Sequence, residues 1–185
     1  FVILTVSGVS AQMVVNNNGS NSSPTALINS VLLGPGVIAS NHTFQGDSTQ
    51  LGFFNGVNCA SFGLDSGIIL STGDVKEVDP NATPGFSIIA NTVTDPDLLN
   101  VANSVPPLLP APYTNSFSVS TINDVALLEF DFTPSGDSLN FRYIFGSEEY
   151  FTFENTQYND VFGFFLSGPG ITGPYSAPSN HPGGS

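Results

Sequence analysis

The chain has 185 residues, of which 40% are apolar, so it is long enough for one domain with a core and is neither a disordered tail nor a membrane protein. Fifteen acidic residues stand against two basic ones, Lys76 and Arg142, and the net charge is −13. Nucleic acids and anionic membrane surfaces are therefore excluded as partners, because binding to either depends on lysine and arginine.

The first residues have the pattern of a processing signal. An apolar run, Phe1 to Val6, is followed by small residues at Val9 and Ala11, which fit the positions before a signal-peptidase cut at Gln12. We interpret residues 1–11 as part of a signal peptide, with an ordinary first strand as the alternative. Residues 12–185 are then predicted to form a single β domain whose C-terminal part is incomplete.

One short helix is predicted near the N-terminus, over residues 24–33. Ser23 is a suitable N-cap, Pro24 suits the first turn, and Gly34 suits the position just beyond the end. A weaker helical pattern follows Asp95, which we expect to act as its cap.

Several strands are predicted after this helix, at residues 37–44, 50–54, 67–73, 124–132, 138–145 and 160–167. The clearest alternates Leu128, Phe130 and Phe132 with acidic residues, and a turn at residues 134–137 predicts a hairpin with the next strand. Nineteen glycines and 14 prolines favour many turns. The predicted fold is all-β, a jelly-roll-like β-sandwich with one short N-terminal helix.

Two blocks of sequence resemble a known family. Residues 145–150 read Phe-Gly-Ser-Glu-Glu-Tyr, and residues 159–170 read Asn-Asp-Val-Phe-Gly-Phe-Phe-Leu-Ser-Gly-Pro-Gly. These blocks, together with residues 63–73, resemble the choice-of-anchor L domain family of bacterial secreted and surface proteins. The resemblance implies an exported module that is followed by varied sorting or anchoring signals, and it implies no catalytic activity.

Acidic and amide side chains are densest at the second block, where a calcium site is predicted. Oxygen ligands of this kind suit Ca²⁺, which takes six to eight of them in a flexible geometry. The candidate ligands are Glu148, Glu149, Glu154, Asn159 and Asp160. The alternative is a structural role, in which Glu148 is buried and bonded to backbone amides or to Arg142.

Aromatic residues near these acids are the predicted ligand contacts. Tyr150, Phe153 and Tyr158 lie in a polar stretch between two predicted strands, where aromatic rings beside acids and amides can stack on a sugar. The alternating rings at residues 141–145 and 162–165 offer a second stacking platform, although a position in the core is the more favoured interpretation for them.

Catalytic patterns are not found in the sequence. Adjacent glutamates do not provide the opposed carboxyl groups that glycoside hydrolysis needs, and Cys59 has no plausible base. The sequence therefore favours a non-enzymatic adhesin or matrix module that binds glycan or protein at the cell surface. A purely structural spacer domain is the alternative, and a polysaccharide-active enzyme is a distant third.

Overall fold

The structure is a computed structural model that describes residues 13–57, 59, 63–79, 89, 91–104, 118–147 and 160–171. The chain divides into two compact units, one with Phe1–Val93 and Asn123–Leu139 and the other with Thr94–Ile122 and Asn140–Ser185. The single domain over residues 12–185 stays a prediction.

Antiparallel strands dominate the first unit and form two sheets. The described strands are β1 (Val14–Asn16), β2 (Ile38–Gln45), β3 (Leu51–Asn55), β4 (Ser66–Leu70) and β5 (Leu127–Thr133). One sheet has the order β1-β3-β4, and β2 pairs with β5 in the other. These antiparallel sheets with few short helices confirm the all-β class, while the jelly-roll-like sandwich stays a prediction.

The β2–β5 ladder keeps the predicted alternation of β5. Glu129 and Asp131 are exposed, whereas Leu128, Phe130 and Phe132, which alternate with them, are half-buried. The register shifts between Ser40 and Thr43, where Asn41 has a φ of 53° and its Nδ2 donates to Asp131 Oδ2 at 2.6 Å. Asparagine tolerates this left-handed conformation, and a bulge of this kind increases the local twist.

The partner of β5 differs from the sequence prediction. A hairpin with residues 138–145 was expected, but β5 pairs with β2 instead, and residues 138–147 carry no assigned strand. The hairpin prediction is therefore wrong. Local alternation specifies which face of a strand is apolar, but it does not specify the neighbouring strand.

The predicted N-terminal helix exists but changes its pitch. α1 (Pro24–Leu27) is capped by Ser23, whose side chain accepts from the Ala26 amide, and a π-helical turn, Ile28–Leu32, continues it. The chain becomes extended at Leu33, whose N–H donates to the Ile28 carbonyl. Gly34 therefore lies just beyond the C-cap residue Leu33, as predicted, but its φ is not positive, because the wide last turn closes without a left-handed residue.

Apolar packing holds β1, β3 and a short 3-10 turn together. Met13, Val15, Phe54 and Val75 form one buried cluster, and Leu64 and Ile69 pack against it. The central strand β3 is closely surrounded at Gly52, where an added Cβ would lie 3.0 Å from Val75 Cγ2. A glycine here lets the 3-10 turn Val75–Val78 approach the sheet.

Asp47 precedes the 3-10 turn Ser48–Gln50 and caps it. Its Oδ1 accepts from the Thr49 amide at 2.9 Å and from the Thr49 hydroxyl at 2.8 Å. These two hydrogen bonds stabilise the carboxylate and hold the pKa of Asp47 below its ordinary value of 3.8.

Gln50 is the buried polar residue among the described residues of the first unit, and its exposed fraction is 0%. Its Nε2 donates to the carbonyl oxygens of Thr72 at 3.0 Å and Asp124 at 2.8 Å. Its Oε1 accepts from the Asp47 amide at 2.7 Å and from Asn91 Nδ2 at 2.9 Å. One side chain thus joins four segments of the chain, and all of its hydrogen-bonding groups have partners.

The second unit contains α2 (Pro96–Ser104), which confirms the weaker helical pattern. Asp95 caps it as predicted, because its Oδ1 accepts from the Leu98 amide at 2.7 Å. Near the other end, the Asn103 side chain exchanges two hydrogen bonds with the backbone of Val119, at 3.0 and 2.8 Å. The side-chain amide thereby fixes residues 118–120 against the helix.

Candidate aromatic binding face

Two segments of the second unit run side by side in opposite directions. The ring centroids of Phe141 and Phe164 are 4.3 Å apart, those of Tyr143 and Phe162 are 5.2 Å apart, and those of Phe145 and Phe162 are 6.1 Å apart. As residue numbers rise in one segment they fall in the other, which is the relation of an antiparallel pair. We call these five residues the aromatic face.

The rings of the aromatic face are stacked on or tilted against their neighbours. Tyr143 and Phe162 are stacked at an angle of 26°, and Phe141 makes angles of 31° with Phe164 and 32° with Tyr143. Stacked and tilted aromatic pairs with centroids about 4.5–7 Å apart, or slightly closer, attract each other, and together these rings form one apolar cluster.

Residues 161–166 have two different sides. The odd-numbered residues are half-buried, and an added Cβ on Gly163 would lie 2.5 Å from the Phe165 ring and 3.0 Å from Leu98 of α2. The even-numbered residues are exposed. The alternation predicted from sequence is therefore present, with α2 close to one side and the aromatic face on the other, but residues 160–167 carry no assigned strand and that part of the prediction is wrong.

The aromatic face is open to solvent. Exposed fractions range from 41% for Phe141 to 59% for Tyr143. Five half-exposed rings of roughly 200 Å² each leave about 500 Å² of aromatic surface in water, near the upper end of the range for the largest apolar patch of a monomer. The favoured interpretation of both aromatic runs as core is therefore wrong for these five rings, because alternation separates two sides without specifying which one is covered.

Ser147 and Asp160 close one end of the paired segments. Ser147 Oγ donates to Asp160 Oδ2 at 2.7 Å, although the two residues are 13 positions apart in sequence. Asp160 is the one predicted calcium ligand within the described residues, and it is exposed. Glu148, Glu149, Glu154 and Asn159 lie outside them, and so do the predicted ligand contacts Tyr150, Phe153 and Tyr158.

In the described part of the chain, no group of three or more histidine, cysteine, aspartate or glutamate side chains could hold a metal ion. Asp74 is used as a cap, since its Oδ1 accepts from the Lys76 amide at 2.9 Å. Cys59 is a half-buried thiol. Within the same residues, no helix has the length and apolar character needed to span a bilayer.

A family model described as the Choice-of-anchor L domain matches residues 14–181. The chain belongs to the choice-of-anchor L family. This confirms the resemblance seen in the sequence, and it indicates a surface-anchored module of bacterial proteins from a family of non-enzymatic domains. No curated protein and no solved structure matches the chain.

The family-like blocks of this choice-of-anchor L domain occupy defined positions. The earlier block contains β4, the strand at one edge of the three-stranded sheet. The later blocks supply Phe145, Phe162 and Phe164 of the aromatic face and the Ser147–Asp160 hydrogen bond. The residues that resemble the family in sequence therefore contribute three of the five rings of the aromatic face, and Phe141 and Tyr143 come from just before the first of these two blocks.

Proposed function

We propose that this choice-of-anchor L domain is an exported, non-catalytic adhesin or matrix module of the bacterial cell surface, and that it binds glycan chains through the aromatic face. The observation that carries the proposal is the set of five neighbouring, half-exposed rings. Aromatic rings offer flat apolar area to the C–H faces of sugars, while hydroxyl and amide groups nearby supply hydrogen bonds.

Charge favours a neutral ligand over an anionic one. The chain carries 15 acidic residues and two basic ones, so it would repel a sulfated or uronic-acid polymer, which is also negatively charged. Stacking does not require a charge on the ligand. A neutral glycan is therefore the ligand class that the aromatic face fits best.

The predicted contacts Tyr150, Phe153 and Tyr158 belong to the same proposal. They lie in the chain between Ser147 and Asp160, and these two residues are hydrogen-bonded to each other. The three aromatic residues therefore belong to the sequence that connects two residues at one end of the paired segments. We propose that the three aromatic residues extend the ligand contact beyond the aromatic face.

A calcium ion is proposed for the same connection. Asp160 has one oxygen bonded to Ser147, and a carboxylate has further lone pairs available for a cation. Glu148, Glu149, Glu154 and Asn159 are the remaining proposed ligands. An ion held by these oxygens would offset the repulsion between like charges and stabilise the domain without taking part in catalysis.

Glycan binding is tested with an array of neutral and acidic glycans and the variants Tyr143→Ala and Ile144→Ala. Tyr143 stacks on Phe162, whereas Ile144 is its neighbour in sequence, is similarly exposed and is outside the aromatic face. We expect Tyr143→Ala to weaken binding about tenfold and Ile144→Ala to leave it unchanged.

Equal losses in the two variants would contradict the proposal. Absence of binding to every glycan would favour the spacer domain, which has no ligand of its own. Hydrolysis of an arrayed polysaccharide, lost in Glu149→Gln, would favour the enzyme.

A further inference from the structure

The first unit contains two asparagine–glycine pairs in different surroundings, Asn18-Gly19 and Asn55-Gly56. This dipeptide has a characteristic spontaneous chemistry. The backbone nitrogen of the glycine can attack the side-chain amide carbon of the asparagine, because glycine has no side chain to obstruct the approach. The attack requires rotation of the asparagine backbone out of its extended conformation.

Asn55 is held against this rotation. It is the last residue of the central strand β3 and is paired with Val14 on one side and Ser66 on the other. The attacking nitrogen is also engaged, since the Gly56 N–H donates to the Asp65 carbonyl at 2.7 Å and Gly56 is buried. The reaction at Asn55 therefore requires the end of the sheet to open first.

Asn18 is less constrained, although its own N–H donates to Asn16 Oδ1 at 2.8 Å. It is exposed, it lies outside the strands, and its side chain makes no capping hydrogen bond to the 3-10 turn Gly19–Ser22 that follows. Gly19 is exposed at a φ of 59°, and no atom lies within 4 Å of the position that a Cβ would take. Among the described residues, the carbonyl of Asn18 accepts one backbone hydrogen bond, from the Asn21 amide at 3.1 Å.

We propose that Asn18 is a spontaneous modification site of the folded domain and that Asn55 is protected. The Gly19 nitrogen loses its proton and forms a bond to the Asn18 side-chain carbon, the bond from that carbon to Nδ2 breaks, and ammonia leaves. Water then opens the resulting cyclic imide at either carbonyl. The products are aspartate, or isoaspartate in which the backbone runs through the former side chain.

The modification lies next to an edge strand of the first unit. Asn18 is two residues beyond β1, which occupies one edge of the three-stranded sheet. Either product adds a negative charge to a chain that already carries −13. Isoaspartate also lengthens the backbone by one carbon beside β1, so we expect the first unit to lose stability as the product accumulates.

The test is incubation of the whole chain in mildly alkaline buffer, in its folded state and in urea, followed by peptide mapping by mass spectrometry. The reaction is recorded at each asparagine as the mass increase that accompanies conversion of an amide to an acid. In the folded state we expect Asn18 to react at least about tenfold faster than Asn55, because the latter must first lose strand pairing and the Gly56 hydrogen bond.

In urea the two sites have the same chemistry, so their rates should become similar. The variant Asn18→Gln should remove the fast reaction and leave the slow one. Equal rates at the two sites in the folded chain would overturn the proposal. So would an intact Asn18 after an incubation in which the urea-unfolded chain has reacted.

Discussion

Gln50→Leu is the substitution from which we expect the largest loss of stability for the smallest change of shape. Leucine has a similar size, but it can make none of the four hydrogen bonds that Gln50 forms with Asp47, Thr72, Asn91 and Asp124. The four partners would have to find water inside a packed region, because the position has an exposed fraction of 0%.

The size of the effect follows from these contacts. Four hydrogen bonds with a net contribution of about 1 kcal/mol each are lost, and burial of the leucine side chain returns roughly 1.5 kcal/mol. The free energy of unfolding should therefore fall by about 2–3 kcal/mol, which for a chain of this length lowers the melting temperature by about 5–10 °C.

The assay is urea and thermal unfolding followed by far-ultraviolet circular dichroism, with Gln45→Leu as the control. Gln45 is also a glutamine at the edge of an element, but it is exposed and makes a single 3.3 Å hydrogen bond to Glu129. The control should change the free energy of unfolding by less than about 0.5 kcal/mol. Equal effects at the two positions would refute the buried network as a source of stability.

Gln50→Glu tests the same hydrogen bonds through the pH dependence of stability. A buried carboxylate facing the carbonyl oxygens of Thr72 and Asp124 should have a raised pKa, because its protonated form alone can donate a hydrogen bond there. A group with a raised folded-state pKa loses its contribution as pH rises through that pKa. The stability deficit of this variant should therefore be larger at neutral pH than in mild acid, and a deficit independent of pH would contradict this account.

Three further predictions concern other sites. Gly52→Ala should cost about 1–3 kcal/mol by forcing a methyl group against Val75, whereas Gly136→Ala, which meets no atom within 4 Å, should be close to neutral in the same melts. The lowered pKa of Asp47 stabilises the fold above pH 3.8, and this contribution is lost as pH falls through the folded-state pKa. The difference in free energy of unfolding between the natural chain and Asp47→Asn should therefore become smaller in acid. A difference that does not change with pH would contradict this. Millimolar Ca²⁺ should raise the melting temperature, and Asp160→Asn should reduce that rise; an unchanged melt would exclude the proposed ion.

Local patterns in the sequence predict the elements of this fold better than their partners. The alternation before Phe132 predicts β5, and the caps Ser23 and Asp95 predict both helices, because each signal is contained within a few neighbouring residues. The pairing of β5 with β2 has no such signal. Its partner lies more than 80 positions away, as the hydrogen bond between Gln45 and Glu129 illustrates.

Gln50 and the aromatic face both show that local sequence does not specify which side chains are buried. In sequence Gln50 begins a predicted strand, and nothing near it indicates burial, because three of its four partners come from positions 22 to 74 residues away. The aromatic runs have the alternation of a half-buried strand, which led to a core interpretation. Whether an apolar side is covered depends on what packs against it, and α2 lies close to the side that carries Gly163 and Phe165.

The salt dependence of binding separates the proposed glycan from a basic protein ligand. The chain has a net charge of −13, so a cationic partner would be attracted over a long range and would bind more weakly as salt screens that attraction. A neutral glycan stacked on Tyr143 and Phe162 gains from dispersion and the hydrophobic effect, neither of which salt screens. We therefore expect the dissociation constant to change little between low and high salt. A steep loss of affinity with rising ionic strength, together with full binding by Tyr143→Ala, would mean that the acidic surface, and not the aromatic face, selects the partner.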